Sequence, residues 1–177
     1  MRGRIFNHSR KKGRFIFLSL GIIFMGTGYF IAYHIGLPLI KEAKASTGWP
    51  TTTGVIQNSK VKVHRSNDSN SSTYSAEVVY RYQVEQNEFQ SETVWFGGDI
   101  STSNRSMAQE TVKKYPAKKQ VTVYYNPNEP ATAVLEPGVF TMTYFYYIFG
   151  WLFLGVGILS TGIPLFRTLF RIIVGNR

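Results

Sequence analysis

Two long apolar stretches without a single charged residue constrain this chain more than any other feature. They are residues 15–40, FIFLSLGIIFMGTGYFIAYHIGLPLI, and residues 139–166, VFTMTYFYYIFGWLFLGVGILSTGIPLF. Because a helix rises 1.5 Å per residue, about 20 residues are enough to cross the hydrocarbon core of a bilayer. Both stretches are longer than that. The sequence therefore predicts two transmembrane helices.

The first stretch has one competing interpretation, a cleavable signal peptide. A basic segment precedes it, and the small-x-small sequence Ala43-Lys44-Ala45 follows it. The apolar part of a signal peptide is about 7–15 residues long, however, and this stretch is much longer. An uncleaved membrane anchor is therefore the favoured interpretation.

The position of the charges predicts the orientation of the two helices. The chain has a net charge of +10. Residues 1–14 hold six Lys and Arg and residues 167–177 hold three, with no acidic residue in either tail, whereas residues 41–138 carry ten acidic and eleven basic residues. Cytoplasmic flanks of membrane spans are enriched in cations. Both tails are therefore predicted to be cytoplasmic, and residues 41–138 to form an extracytoplasmic domain.

The basic tails also predict a contact with lipid. The cations nearest the spans, which we expect to meet anionic headgroups, are Arg10, Lys11, Lys12, Arg14, Arg167 and Arg171. The second tail is expected either to continue as a helix in the membrane interface or to be a short solvated segment. Because the central domain is nearly neutral, a nucleic-acid partner is not expected.

Small residues recur at helical spacing within the spans. They are Gly28, Ala32 and Gly36 in the first, and Gly157 and Thr161 in the second. This small-xxx-small spacing permits close approach of two helix backbones. We expect these faces to pack the spans together or against another subunit.

The central segment is predicted to be a small, mainly antiparallel β domain with one short helix, so that the fold class is an α+β membrane protein. Alternating apolar residues and turn signals predict strands at residues 52–63, 74–84, 89–96, 120–125 and 133–136. A helix is predicted to begin at Ser103 or Ser106 and to end at Pro116. The two prolines of residues 126–130 predict a turn without strand pairing.

Several short motifs resemble a known family. They are Trp49-Pro50, Tyr80-x-Tyr82, Val121-x-Val123-Tyr124-Tyr125-Asn126-Pro127-x-x-Pro130 and Leu135-Glu136-Pro137-Gly138. Together they resemble the bacterial membrane-protein family known as domain of unknown function 3592, over roughly residues 47–140. The resemblance implies a two-span protein of the bacterial inner membrane with a small extracytoplasmic β domain. It implies no established activity.

The same motifs supply the candidate interaction residues. These are Trp49, Pro50, Tyr80, Tyr82, Tyr124, Tyr125, Asn126, Pro127 and Pro130. One interpretation is structural, with prolines at strand ends and aromatic rings in the core. The other is a recognition surface. The structural interpretation is favoured, because buried aromatic residues serve cores more often than binding sites.

The sequence predicts no enzyme activity and no cofactor. It contains no cysteine, and its three histidines, His8, His34 and His64, are far apart in the predicted topology. A triad or a His-rich metal site is therefore not expected. The favoured function is an accessory protein whose β domain binds a partner protein or envelope component. The alternative is a subunit of an oligomeric channel or transport complex.

Overall fold

The chain is divided into two compact units. The structure is a computed structural model that describes residues 7–65, 72–98 and 101–174. One unit, here the helical unit, comprises the described residues up to Pro38 and from Phe145 onward. The other unit, here the sheet domain, is Leu39–Tyr144.

Most of the helical residues lie in or beside the two apolar stretches of the sequence. Their bounds are Asn7–Phe30 for α1, Leu37–Ala45 for α2, Arg105–Lys114 for α3 and Phe145–Val174 for α4, with a π-helix at Ile31–Gly36 and short 3-10 turns at Ser46–Gly48 and Thr141–Tyr144. Within the described residues, two helical stretches, Leu18–Gly48 and Thr141–Arg167, are long and apolar enough to cross a membrane. The most apolar windows of these stretches are only 22% and 17% buried within the protein. A helix in the core of a soluble protein would instead be mostly buried.

Small residues bring α1 and α4 into close contact in the helical unit. A methyl group added to Gly28 would lie 2.5 Å from the backbone nitrogen of Leu154, and one added to Gly157 would lie 2.7 Å from the carbonyl oxygen of Gly21. Real side-chain carbons do not approach backbone atoms so closely. The two backbones can therefore meet at this distance only because the side chains are missing.

A five-stranded antiparallel sheet forms the second unit. Its strands are β1 (Thr51–Arg65), β2 (Ser72–Val84), β3 (Asn87–Ser91), β4 (Gln120–Asn126) and β5 (Glu129–Val134), in the order β3-β2-β1-β4-β5. The predicted antiparallel β domain is thus confirmed. The first two strands pair along most of their length, with a bulge at Gln57 that shifts the register.

The sheet curls until its two edge strands meet. The side-chain hydroxyl of Ser91, at the end of β3, donates to the carbonyl oxygen of Ala133 in β5 at 3.2 Å. Just beyond these strands, the carbonyl oxygen of Val94 accepts the backbone N–H groups of Leu135 at 3.0 Å and Glu136 at 2.8 Å. The enclosed space is filled by a core that includes Ile56, Val78, Tyr80, Tyr82 and Val123.

The structure corrects the predicted ends of two strands. The sequence predicts the third strand at residues 89–96, but β3 ends at Ser91 because the chain then turns to bond with residues 135–136. It predicts the last strand at residues 133–136, after a turn that excludes pairing. That strand begins at Glu129 instead and includes Pro130. An edge strand tolerates proline because the missing N–H is not needed by a neighbour.

The start of α3 is also corrected. Neither Ser103 nor Ser106 caps this helix, which begins at Arg105 with Asn104 as its N-cap. The Asn104 side-chain oxygen accepts the backbone N–H of Ser106 at 3.0 Å. Asparagine is one of the strongest N-cap residues, because its short side chain reaches an N–H group of the first turn. Ala108 and Tyr115 are buried against the sheet domain, and Val112 is partly buried.

Candidate functional site

The tyrosines of the Tyr80-x-Tyr82 motif lie inside the sheet domain. Tyr80 is fully buried and Tyr82 is 3% exposed. The Tyr80 hydroxyl donates to the carbonyl oxygen of Ala133 at 2.8 Å and lies 2.9 Å from that of Thr93. The Tyr82 hydroxyl donates to the carbonyl oxygen of Pro130 at 2.6 Å. Both tyrosines therefore join β2 to β5 across the core.

Burial raises the pKa of each core tyrosine, because a phenolate is poorly solvated inside the domain. The pKa of Tyr82 rises to about 12 for this reason. Burial likewise raises the pKa of Tyr80. The pKa of Tyr115 is raised first by burial and then by its hydrogen bond to the Glu136 carboxylate, at 2.9 Å. These hydroxyls remain protonated donors at neutral pH.

The Trp49-Pro50 motif supports the start of β1. Trp49 is half-buried and meets Phe96 edge-to-face, with ring centroids 5.9 Å apart. Tyr124 packs beside the same cluster, while Tyr125 packs against the main core. The exposed Pro50 accepts the backbone N–H of Tyr125 through its carbonyl oxygen, at 3.2 Å.

The Asn-Pro motif shapes the turn between β4 and β5. The side-chain oxygen of Asn126 accepts the backbone N–H of Asn128 at 3.0 Å, which closes the turn locally. Pro127 is exposed at its tip, and Pro130 lies in β5 as the acceptor for Tyr82. The contacts of these motifs thus have a structural explanation.

Buried hydroxyls tie together the two ends of the sheet domain. The Ser46 side-chain oxygen donates to the carbonyl oxygen of Ala43 at 2.8 Å and accepts the backbone N–H of Gly138 at 2.9 Å. Thr143 donates to the carbonyl oxygen of Phe96 at 2.7 Å and accepts the N–H of Phe140 at 3.0 Å. The segments that begin and end the domain are therefore bonded to its body.

The candidate packing residues of the spans lie between the helices. Besides Gly28 and Gly157, a methyl group on Gly36 would lie 2.5 Å from the backbone nitrogen of Tyr147, and Ala32 is fully buried. Thr161 is 8% exposed and its hydroxyl donates to the carbonyl oxygen of Gly157 at 2.9 Å. This bond within α4 satisfies the hydroxyl without a partner molecule.

The candidate headgroup residues are only partly described. Arg167 is exposed on α4. Arg10, Lys11, Lys12 and Arg14 lie in α1 and Arg171 lies in α4, but their side chains are outside the described part of the structure. Their predicted contact with anionic lipid stays a prediction. The backbone of the second tail is helical as far as Val174.

A large opening of the sheet domain lies beside β2, next to the point where its pairing with β3 ends. The pairing of β2 with β3 ends at Tyr80 opposite Ser91. Farther along the same side of β2, Tyr74 forms an isolated bridge with Thr102. Between Tyr80 and Tyr74, no strand of the described residues runs beside β2 on this side. A cavity of about 770 Å³ opens here, bounded also by α3 and residues 92–98; we call it the β2 cleft.

Two carboxylates that line the β2 cleft are paired with lysines. Glu77 pairs with Lys60 at 2.9 Å and with Lys62 at 3.5 Å, and Glu136 pairs with Lys114 at 3.0 Å. The hydrogen bond from Lys60 lowers the pKa of Glu77. The charges of Glu77 and Glu136 are therefore compensated within the domain.

Two further carboxylates at the cleft, Glu92 and Glu110, are exposed and form no ion pair with the described residues. Trp95 and Met107 add apolar surface beside them. The described charged residues that line the opening therefore carry an excess of negative charge, beside apolar and aromatic side chains; they are the carboxylates Glu77, Glu92, Glu110 and Glu136 and the lysines Lys62 and Lys114.

A serine and a histidine at the cleft do not form a catalytic triad. The Nε2 atom of His64 lies 3.1 Å from the hydroxyl oxygen of Ser75. No described carboxylate bonds the other ring nitrogen, so the orienting third member of a triad is missing from this arrangement. Within residues 7–65, 72–98 and 101–174, no group of three or more acidic or histidine side chains could hold a metal ion.

Sequence reasoning did not identify the cleft residues. In the sequence, Ala76 is only one member of an alternating strand, and Glu92, Met107 and Glu110 belong to no motif. Their proximity depends on where β3 ends and how the following chain turns. Neither the end of β3 nor the turn of the following chain is indicated by a local sequence pattern.

The sheet domain matches a known family model. The model described as Domain of unknown function (DUF3592) matches residues 52–140, just over half of the 177 residues. The chain therefore belongs to this family, and the predicted resemblance is confirmed. The matched segment contains all five strands except the first residue of β1, together with α3.

A search of curated proteins gave no match. The family description carries no activity, substrate or partner. The geometry of the sheet domain is therefore the guide to what the protein does.

Proposed function

We propose that this protein is a non-enzymatic accessory protein of the bacterial inner membrane, whose extracytoplasmic sheet domain binds a partner protein or envelope component in the β2 cleft. Two apolar helices, α1 with its continuation and α4, anchor the domain. The cation-rich tails at both ends of the chain support a cytoplasmic location for both termini.

The observation that carries this proposal is the β2 cleft itself. An opening of about 770 Å³ lies within the range of ligand-binding pockets. One of its walls is the side of β2 that no strand of the described residues joins between Tyr74 and Tyr80, and polypeptides commonly bind proteins by adding to such an edge. A recognition surface built from the motif tyrosines has less support, because Tyr80 and Tyr82 are buried.

Co-purification from native membranes tests the binding proposal. Met107 lines the cleft and is 44% exposed, so Met107→Arg changes the cleft without removing a core contact. Thr122→Arg is the matched control, because Thr122 is exposed on β4 and lies outside the cleft. We expect a protein that co-purifies with the wild type and with Thr122→Arg, but not with Met107→Arg. Equal recovery with all three would reject the cleft as the binding surface.

Reporter fusions test the orientation. A reporter inserted between β1 and β2 is expected to be extracytoplasmic, and one fused after Arg177 to be cytoplasmic. Replacing the four cations Arg10, Lys11, Lys12 and Arg14 by neutral residues should weaken this orientation, because those charges retain the first tail in the cytoplasm. The opposite reporter pattern would contradict the proposed topology.

A further inference from the structure

The backbone of β2 shows what kind of molecule the cleft can hold. Tyr74 exchanges two hydrogen bonds with Thr102, at 2.7 and 2.9 Å. Because backbone groups of alternate strand residues point to the same side, Ala76 and Val78 direct their N–H and C=O groups toward the cleft side as well. Val78 is fully buried, whereas Ala76 is half-buried and lines the cleft. The accessible pair of backbone groups is therefore that of Ala76.

The length of the open edge limits the size of the bound segment. From Tyr74 to Val78 there are four residue steps, and at about 3.3 Å per step they span about 13 Å. An extended chain of about three or four residues fits this length. The occupant is thus a short extended segment of a longer polypeptide.

The charges at the cleft indicate the side chains of that segment. Among the nearby cations, Lys60 and Lys62 share the Glu77 carboxylate, Lys114 pairs with Glu136, and Arg105 lies over the Tyr74 ring at 5.7 Å. Glu92 and Glu110 have no such partner among the described residues, so an incoming cation would meet unopposed negative charge. An incoming acid would be repelled. Trp95 and Met107 offer apolar contact to the uncharged side chains of the segment.

We infer that the β2 cleft binds a short, extended, basic polypeptide segment that hydrogen-bonds to the backbone of Ala76 and directs a Lys or Arg side chain toward Glu92 and Glu110. This inference rests on the proposed function and specifies the chemical character of the partner segment. The hydrogen bonds to Ala76 supply binding through the main chain of the segment, and the carboxylates select its charge. Apolar residues alternate with the basic ones, because side chains of an extended chain alternate sides.

Peptide binding to the purified full-length protein in detergent micelles tests the inference. The probes are three fluorescein-labelled hexapeptides: Val-Lys-Val-Arg-Val-Lys, its acidic counterpart Val-Glu-Val-Asp-Val-Glu, and the basic sequence with N-methylated backbone nitrogens. Fluorescence anisotropy measures their affinities at low salt. We expect the basic peptide to bind at least tenfold more tightly than the acidic one. N-methylation should weaken it at least fivefold, because the methyl groups remove the strand hydrogen bonds.

Charge-neutralising variants locate the binding. The double variant Glu92→Gln with Glu110→Gln should bind the basic peptide at least fivefold more weakly than the wild type. The matched control is Glu85→Gln with Glu129→Gln, which removes the same charge from two exposed residues outside the cleft and should change the affinity less than twofold. Equal affinities for the basic and acidic peptides, equal losses in both double variants, or no effect of N-methylation would each overturn the inference.

Failure of the inference is distinguishable from failure of the proposed function. If a protein co-purifies through the cleft but the basic peptide shows no preference, the accessory function stands and the basic, extended partner is rejected. If Met107→Arg retains every co-purified protein, the proposed function itself falls. The N-methylated peptide leaves the protein unchanged, so a variant that folds poorly cannot explain its result.

Discussion

The helical unit and the sheet domain are each stabilised internally, and by opposite kinds of packing. In the helical unit the contacts between α1 and α4 depend on missing side chains, and large apolar residues such as Ile148, Leu159 and Phe166 are 62–69% exposed. In the sheet domain the large side chains are inside, and the buried hydroxyls of Tyr80 and Tyr82 bond backbone carbonyls.

This difference reflects the solvent that each unit is suited to. Apolar side chains on the outside suit lipid, where helix association depends on close packing rather than on burial from water. A domain in water gains from burying apolar surface, but each polar group taken inside must find a hydrogen-bond partner. The two units should therefore respond differently to the same type of substitution.

The largest effect is expected where a side chain would separate the helices. Gly157→Leu should cost about 3 kcal/mol in the helical unit, because overpacking at a close contact forces backbone shifts. Gly155 is the matched control, since a methyl group there meets no atom within 4 Å. Thermal unfolding in detergent micelles would measure both. If Gly155→Leu destabilised the protein as much as Gly157→Leu, the close-packed interface between α1 and α4 would be wrong.

A smaller effect is expected from loss of a buried hydroxyl in the sheet domain. Tyr80→Phe should cost about 2 kcal/mol, because the carbonyl oxygen of Thr93 loses the Tyr80 donor inside the protein and that of Ala133 keeps only the longer bond from Ser91. Tyr125→Phe is the control, because no described hydrogen bond involves the Tyr125 hydroxyl. Chemical denaturation followed by circular dichroism would compare them. Equal stability of the two variants would show that the hydrogen bonds of the Tyr80 hydroxyl do not stabilise the domain.

The smallest effect is expected in the response to alkaline pH. The pKa of Tyr82 is raised from 10.0 to about 12 in the folded protein. A raised pKa means that the folded state holds the proton more tightly than the unfolded state, so this contribution to stability is complete below pH 10 and is lost as the pH rises from 10 toward 12. Tyr82→Phe should therefore show a shallower decline of melting temperature over this window than the wild type. Parallel declines would contradict the role of the Tyr82 proton.

The sequence is informative wherever the signal is local. The uncharged apolar stretches and the alternation from Tyr74 to Val84 are properties of neighbouring residues, and they predict the helices and β2 correctly. Pro130 is misleading, because whether a strand tolerates proline depends on its position in the sheet. The motif singles out Tyr80 and Tyr82, but their burial depends on the approach of β5. The β2 cleft has no sequence signal, since it arises from a strand that ends early and a chain that turns away.

Photo-crosslinking in living cells shows directly which unit contacts other proteins. A photo-crosslinking amino acid would be placed in living cells at Met107 in the β2 cleft and, separately, at Leu159 on the exposed face of α4. We expect a discrete crosslinked product with another protein at Met107 and no crosslinked protein at Leu159. Crosslinks between copies of this chain at Leu159, with none at Met107, would contradict this expectation and would favour the oligomeric channel.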